Sequence, residues 1–109
     1  MSEEPIYNET APSLGELEAA PRPVVLEFGN DWCGFCQAAR PLVDEAMGET
    51  SGVDHVRVAD GRGERLGRHF KVKLWPTLIV LDGGVERARV VRPPDVDSVR
   101  EALSAVAAD

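Results

Sequence analysis

Cys33 and Cys36 are the only cysteines of this 109-residue chain, and two residues separate them. A permanent disulfide across so small a loop would constrain the unfolded chain little, so the pair is better suited to reversible chemistry than to structural cross-linking. A helix is predicted to begin near Cys33 and end before Gly48, because apolar residues recur at steps of three and four. The free N–H groups at its start favour the thiolate, which makes Cys33 the predicted nucleophile. Cys36, one turn later and less exposed, can then attack a mixed disulfide on Cys33.

The predicted helices and strands along the chain must position these thiols. After a short helix from Ser13 to Pro21, hydrophobic periodicity predicts the order β-α-β-α-β-β-α, and a weak extra strand at Ile6-Tyr7 stays open. Pro41 lies inside the cysteine-bearing helix and is expected to kink it. The predicted strands cover residues 24–28, 53–58, 77–81 and 85–91, and the later helices cover 64–70 and 96–106.

Length and composition limit the class of protein. A chain of 109 residues with 43% hydrophobic residues and a net charge of −7 predicts one soluble, acidic domain over residues 1–109, with residues 1–5 frayed. The acidic balance argues against nucleic-acid binding. There is no apolar run of about 20 residues to span a membrane, and the first 23 residues are acidic where a signal peptide is basic and apolar. We therefore expect a cytoplasmic protein.

The sequence around the cysteines resembles that of the thioredoxin family. The resemblance rests on the stretch from Glu27 to Cys36, on Pro41, and on Trp75-Pro76-Thr77 about forty residues later, and it covers nearly the whole chain. It implies an α/β fold with a central mixed sheet of four to five strands and helices on both faces. It also implies a cis peptide bond between Trp75 and Pro76, and dithiol–disulfide exchange with protein substrates.

Glu27 stands where thioredoxins have a buried acid, six residues before the first cysteine. A carboxylate in an apolar strand is expected to have a raised pKa. Such a group could accept and return the proton of Cys36, which makes Glu27 a candidate catalytic residue. The alternative is a sheet carboxylate satisfied by a neighbouring side chain.

Three aromatic residues would form a collar around Cys33 in such a fold. Trp32, Phe35 and Trp75 could dock an extended polypeptide, or could pack against the sheet as ordinary large side chains. Phe35 is expected to be exposed. Together with the collar, the predicted substrate-binding residues are Gly34, Pro76 and Arg92.

Several positions depart from the family pattern. Phe35 replaces the proline that thioredoxins have between their cysteines, which predicts a potential somewhat more oxidising than theirs. Gly29 replaces a second tryptophan, so the surface beneath the site should be smaller. Trp75 precedes the proline where a smaller residue is usual, and Arg92 lies near a groove-lining glycine, so both should narrow the substrate groove.

A metal site would need the two cysteines together with His55 and His69. Nineteen positions separate Cys36 from His55 and fourteen separate the two histidines, which does not match zinc-ligand spacing. We predict no metal and no bound cofactor, and a redox-active disulfide between Cys33 and Cys36.

The predicted function is reduction of protein disulfides by Cys33, with Cys36 as the resolving thiol. The resemblance implies recycling by an NADPH-dependent flavin reductase, and we expect a monomer that contacts neither nucleic acid nor membrane. Two alternatives stay open. One is a thioredoxin-like binding or chaperone module, and the other is an oxidising or isomerising variant.

Overall fold

The structure, a computed structural model, describes residues 6–61 and 64–106. Within these residues, helices and strands alternate in the predicted order, with a short helix ahead of the first strand. The expected fraying of residues 1–5 lies outside the described residues. The helices are α1 (Leu14–Ala19), α2 (Gly34–Gly48), α3 (Arg65–His69) and α4 (Val96–Leu103), and the strands are β1 (Val24–Gly29), β2 (Asp54–Ala59), β3 (Thr77–Asp82) and β4 (Val85–Val91).

The four strands form one mixed sheet in the order β2-β1-β3-β4. β1 pairs with β2 in parallel, whereas β1 with β3 and β3 with β4 are antiparallel. The weak extra strand is reduced to a single parallel bridge between Asn8 and Val58 at the edge of β2. The mixed sheet of the thioredoxin fold is thus present with four strands and one isolated bridge.

Helices cover both faces of the sheet, and alternate residues of each central strand point to opposite faces. On one face, Leu26 and Phe28 of β1 pack with Leu17 of α1 and with α3. On the other face, Val25 packs with Val43 of α2 and with α4. β1 and β3 are therefore buried on both sides, which explains their nearly continuous apolar sequences.

Local sequence signals define most element ends. Ser13 and Glu16 form a reciprocal capping box at the start of α1. Asp95 caps α4 through a bond from Ser98 N. Gly83 and Gly84, both with positive φ, form the hairpin between β3 and β4.

The helix ends differ slightly from the sequence prediction. α2 includes Gly48 and extends to Glu49 as its C-cap, and Pro41 lies inside it. α4 ends at Leu103, three residues before the predicted end at Val106. Residues 104–106 continue α4 as a hydrogen-bonded turn, with Val106 N donating to Leu103 O, so the apolar periodicity runs past the last helical residue. Among the described residues, none of the helices combines the length and apolar character that crossing a membrane requires.

Candidate active site

Cys33 is the N-cap of α2, one position before the first helical residue. Its Sγ accepts a hydrogen bond of 3.3 Å from Cys36 N, one of the N–H groups that a helix leaves unpaired at its start. This donor and the positive end of the helix dipole both favour a negatively charged sulfur. The backbone therefore places Cys33 at the open end of α2, with a helix N–H directed at its sulfur.

Cys36 lies one turn into α2 and is fully buried, whereas Cys33 is 8% exposed. Both are free thiols. Burial, together with the neighbouring Cys33, raises the pKa of Cys36 to about 11. A substrate can reach Cys33 first, while Cys36 stays enclosed and protonated at neutral pH.

Glu27 is a fully buried carboxylate in β1 with three donors around it. His55 Nε2 lies 2.8 Å and Arg57 Nε 3.0 Å from its Oε1, and the Tyr7 hydroxyl donates to Oε2 at 2.5 Å. Burial by itself raises the pKa of Glu27, but the bond from His55, the charge of Arg57 and the bond from Tyr7 outweigh it and lower the pKa.

The raised pKa expected for Glu27 from the sequence is therefore wrong. The parallel register pairs Glu27 with Arg57 and places His55 on the same face of β2. Arg57 also donates a hydrogen bond from Nη2 to Oδ1 of Asp44 in α2, at 2.9 Å. The carboxylate is thus satisfied by its neighbours, as the alternative interpretation required, and its part in catalysis stays a prediction.

The aromatic collar is present at the start of α2. Trp32 is 73% exposed and Phe35 is 59% exposed, so neither is a core residue. Trp32 packs edge to face on Trp75, with ring centroids 5.5 Å apart. Trp75 is anchored through its Nε1, which donates to Asp60 Oδ2 at 2.8 Å. Within the collar, Trp75 is therefore held in place, and Trp32 and Phe35 present apolar surface to solvent.

The segment opposite the cysteines contains Trp75 and Pro76, joined by the cis peptide bond that the resemblance implied. Pro76 is buried, and its carbonyl oxygen accepts a bond of 2.9 Å from Arg92 N. The Arg92 side chain donates from Nε to Trp75 O at 2.8 Å and lies over the Phe35 ring, 3.8 Å from its centroid. Gly34 is exposed, with open space where a Cβ would be. Arg92 thus covers the surface between Trp75 and Phe35.

Two side chains occupy the space next to Gly29, the residue that stands in place of a second tryptophan. A Cβ on Gly29 would lie 2.6 Å from Cys36 Sγ and 2.9 Å from Tyr7 Cε1, so both groups already fill that space. Tyr7 is buried and clusters with the two cysteines. The chain therefore replaces bulk at position 29 with the ring of Tyr7, which enters from a distant part of the sequence.

Sequence reasoning missed Tyr7, Arg57 and Asp60 as members of this site. One available signal was the isolated charge of Glu27 in an apolar strand, which requires partners. His55 and Arg57, two residues apart in a predicted strand, share one face and could have supplied them. Nothing local to Tyr7 or Asp60 indicates their contacts.

The two histidines interact with residues other than the cysteines. His55 binds Glu27, and His69 packs edge to face on Phe70, with ring centroids 4.8 Å apart. Across residues 6–61 and 64–106, no group of three or more His, Cys, Asp or Glu side chains is arranged to hold a metal ion.

The chain matches the family model for Thioredoxin over residues 13–105. It belongs to the thioredoxin family. Its fold superimposes on the reduced form of thioredoxin 2 from Pseudomonas aeruginosa PAO1 with a TM-score of 0.80, at 49% identity over 91% of this chain and 93% of that one.

Two curated relatives extend this similarity. Thioredoxin of Mycoplasma pneumoniae is 30% identical over 78 residues, which cover 72% of this chain and 76% of the relative. A protein of Mycobacterium leprae, named bifunctional thioredoxin reductase/thioredoxin, is 28% identical over 79 residues, which cover 72% of this chain and 17% of the relative. Membership of the family implies thiol–disulfide oxidoreductase chemistry in general.

Proposed function

We propose that this chain reduces protein disulfides, with Cys33 as nucleophile and Cys36 as resolving thiol. The observation that carries the proposal is the asymmetry of the pair. Cys33 Sγ accepts the Cys36 N–H at the open end of α2, and the Cys36 thiol lies in the interior with a pKa raised to about 11. One thiol is therefore set up to react with a partner, and the other to react with its neighbour.

The exchange proceeds in two balanced steps. The Cys33 thiolate attacks one sulfur of a substrate disulfide, the substrate S–S bond breaks, and the first substrate thiolate leaves and takes a proton from water. Cys36 then loses its proton and attacks Cys33 Sγ, which releases the second substrate thiolate. The substrate gains two electrons, and the chain ends with a Cys33–Cys36 disulfide that serves as its redox group without a bound cofactor.

The collar supports a polypeptide substrate. Trp32 and Phe35 offer exposed apolar area next to Cys33, and the exposed Gly34 leaves the backbone between the cysteines accessible. Trp75, Pro76 and Arg92 form the facing side. An extended segment on either side of a disulfide would lie across the surface that these residues form together.

For the partner that returns electrons, we propose an NADPH-dependent flavin reductase. The Mycobacterium leprae relative carries the names of both a thioredoxin reductase and a thioredoxin, which supports such a pairing. We further propose that the chain acts as a monomer in the cytoplasm, where disulfides are kept reduced.

Insulin reduction with matched cysteine variants tests the proposal. The wild-type chain, kept reduced by dithiothreitol, should accelerate reduction of the insulin interchain disulfides. Cys36→Ser should accumulate a covalent adduct with insulin in the absence of dithiothreitol, and Cys33→Ser should form none. Full activity in Cys33→Ser, or an adduct through Cys36 alone, would overturn the assignment.

The exposed Trp32 and Phe35 also favour a second candidate, a protein-binding module in which the thiols are incidental. Such a module would retain partner binding and the cellular phenotype after Cys33→Ser. An oxidising or isomerising role is separated by the equilibrium of the pair with glutathione, because a strongly oxidising Cys33–Cys36 couple would exclude the reductant assignment.

A further inference from the structure

Tyr7 is the only tyrosine of the chain, and it is buried beside the candidate active site. The backbone around it is held in place from both sides. Asn8 exchanges bonds with β2, from Asn8 N to Arg57 O at 3.0 Å and from Ala59 N to Asn8 O at 2.8 Å. Ile6 N donates to Asp31 Oδ1 at 2.8 Å. These bonds therefore fix Tyr7 between the edge of the sheet and the start of α2.

The Tyr7 side chain is next to both the Glu27 carboxylate and the Cys36 thiol. It donates to Glu27 Oε2 at 2.5 Å. Tyr7 Cζ and Cys36 Sγ both lie within 3.0 Å of the point where a Cβ on Gly29 would stand, so the phenol and the thiol are neighbours in the interior. A phenol has one proton to donate and lone pairs to accept, so a hydroxyl that donates to Glu27 can accept the Cys36 S–H.

We propose that Tyr7 is a catalytic proton relay between Cys36 and Glu27 in the resolving step. This inference rests on the proposed function and assigns one more residue to it. As Cys36 Sγ bonds to Cys33 Sγ, the Cys36 proton passes to the Tyr7 oxygen while the Tyr7 proton passes to Glu27 Oε2. The S–S bond to the substrate breaks, the substrate thiolate leaves, and Tyr7 ends neutral.

The ionisation states of the three groups define the part that each plays in the transfer. Burial, and next the neighbouring Cys33, raise the pKa of Cys36 to about 11, so its thiol is protonated at neutral pH. Cys36 must therefore lose a proton before its sulfur can attack. Burial and the adjoining carboxylate raise the pKa of Tyr7 above its ordinary value, so it passes protons without becoming a phenolate. The pKa of Glu27 is lowered on balance, so its carboxylate is ionised before the transfer and holds the proton only while the new S–S bond forms.

The charges that surround Glu27 keep the transferred proton from staying there. Arg57 and His55 face the carboxylate from β2, and Asp44 faces Arg57 from α2. His55 contacts Glu27 Oε1, and its side chain is 18% exposed. This partly exposed side chain offers a polar route from the buried carboxylate to solvent, so Glu27 can return to its ionised form after each turnover.

Stopped-flow reaction with the disulfide reagent dithiobisnitrobenzoate separates the two steps in one trace. Attack by Cys33 releases the first coloured thiolate, and attack by Cys36 on the mixed disulfide releases the second. Tyr7→Phe keeps the ring against Gly29 and removes only the hydroxyl. We expect an unchanged first phase and a second phase slowed by about tenfold or more, within the range for loss of a proton-transfer group.

Two further readouts distinguish a relay from a structural role. The deficit of Tyr7→Phe should shrink as the pH rises towards the pKa of Cys36, since Cys36 then ionises without help. The double variant Tyr7→Phe with Glu27→Gln should be no slower in the second phase than the slower single variant, because both interrupt one path. A second phase unaffected by Tyr7→Phe, or a deficit equal at every pH, would overturn the relay.

A measurement on the wild-type chain keeps the inference testable if Tyr7→Phe does not fold. The second phase should be slower in D2O than in H2O by a larger factor than the first phase, because only the second has protons in transfer. Equal factors would refute the relay. Failure of the wild type to release a second thiolate would instead refute the proposed function itself.

Discussion

Arg92 Nε donates a hydrogen bond of 2.8 Å to the carbonyl oxygen of Trp75, the residue that precedes the cis proline. The same guanidinium covers the ring of Phe35. Arg92 adopts this position from a backbone with φ of +48°, a conformation that favours glycine. The side chain therefore occupies both a backbone acceptor and an apolar surface that a polypeptide substrate would use.

Replacing Arg92 with glycine should improve the reduction of protein disulfides. A substrate N–H would no longer have to displace the Arg92 bond to Trp75 O, so we expect kcat/KM for insulin to rise roughly fivefold, the equivalent of about 1 kcal/mol. The rate with dithiobisnitrobenzoate, which needs no groove, should not change.

Arg87→Gly is the matched control, since it removes an exposed arginine from β4, the strand that ends one residue before Arg92. It should leave both rates at the wild-type level. A lower insulin rate in Arg92→Gly would show that the guanidinium attracts substrates instead of obstructing them.

Trp32→Ala should slow the reduction of protein disulfides while leaving the fold intact. Because Trp32 is 73% exposed, its loss should change the free energy of unfolding by less than about 1 kcal/mol. Loss of a central aromatic contact should lower kcat/KM for insulin about tenfold. Val85→Ala, an exposed apolar residue at the far end of β4, is the control. An equal effect of both substitutions would contradict a docking role for Trp32.

The reactive centre could be predicted from sequence because its signals are local. The spacing of Cys33 and Cys36, the apolar periodicity of α2 and the Trp75-Pro76 pair each lie within a few residues. Periodicity also predicted the element order, because alternating and helical apolar patterns determine which faces are buried.

The electrostatics of the site could not be predicted, because they depend on which strands become neighbours. The pKa of Glu27 is set by the register that brings Arg57 beside it, thirty residues away in the chain. The space at Gly29 is filled by Tyr7, whose sequence context gives only a weak strand signal. Such contacts follow from the tertiary structure and not from any local pattern.

The ion cluster around Glu27 should make stability depend on pH. Its pKa is lower in the folded chain than its ordinary value of 4.5, so its interactions contribute stability above about pH 4.5 that is lost as the pH falls through the folded-state pKa. Glu27→Gln should lower the free energy of unfolding at pH 7 by about 3 kcal/mol, because it leaves Arg57 without its buried partner.

Urea unfolding from pH 7 to pH 3 measures this effect. The gap between the wild type and Glu27→Gln should narrow as the carboxylate becomes protonated. Glu45→Gln, which alters an exposed pair with Arg100, should show little change at any of these pH values. A gap that stays constant across the range would mean that the charge of Glu27 does not stabilise the fold.

Gly29→Ala tests the close packing of Tyr7 against Cys36. The added Cβ would lie 2.6 Å from Cys36 Sγ and 2.9 Å from Tyr7 Cε1, so one of them must move. We expect the free energy of unfolding to fall by about 1–3 kcal/mol, as for other overpacked cores. Displacement of Tyr7 should also slow the second thiolate release described above and leave the first unchanged.

Gly48→Ala provides the control, because its added Cβ meets no atom within 4 Å beyond its chain neighbours and the adjoining helix backbone, and it ends α2 in helical conformation. The substitution should raise the free energy of unfolding by up to about 1 kcal/mol, from the higher helix propensity of alanine. Urea unfolding measures both variants. If Gly29→Ala were as stable as wild type and resolved mixed disulfides at the same rate, Tyr7 and Cys36 could not be packed against the backbone of Gly29, and the relay geometry would fail with that contact.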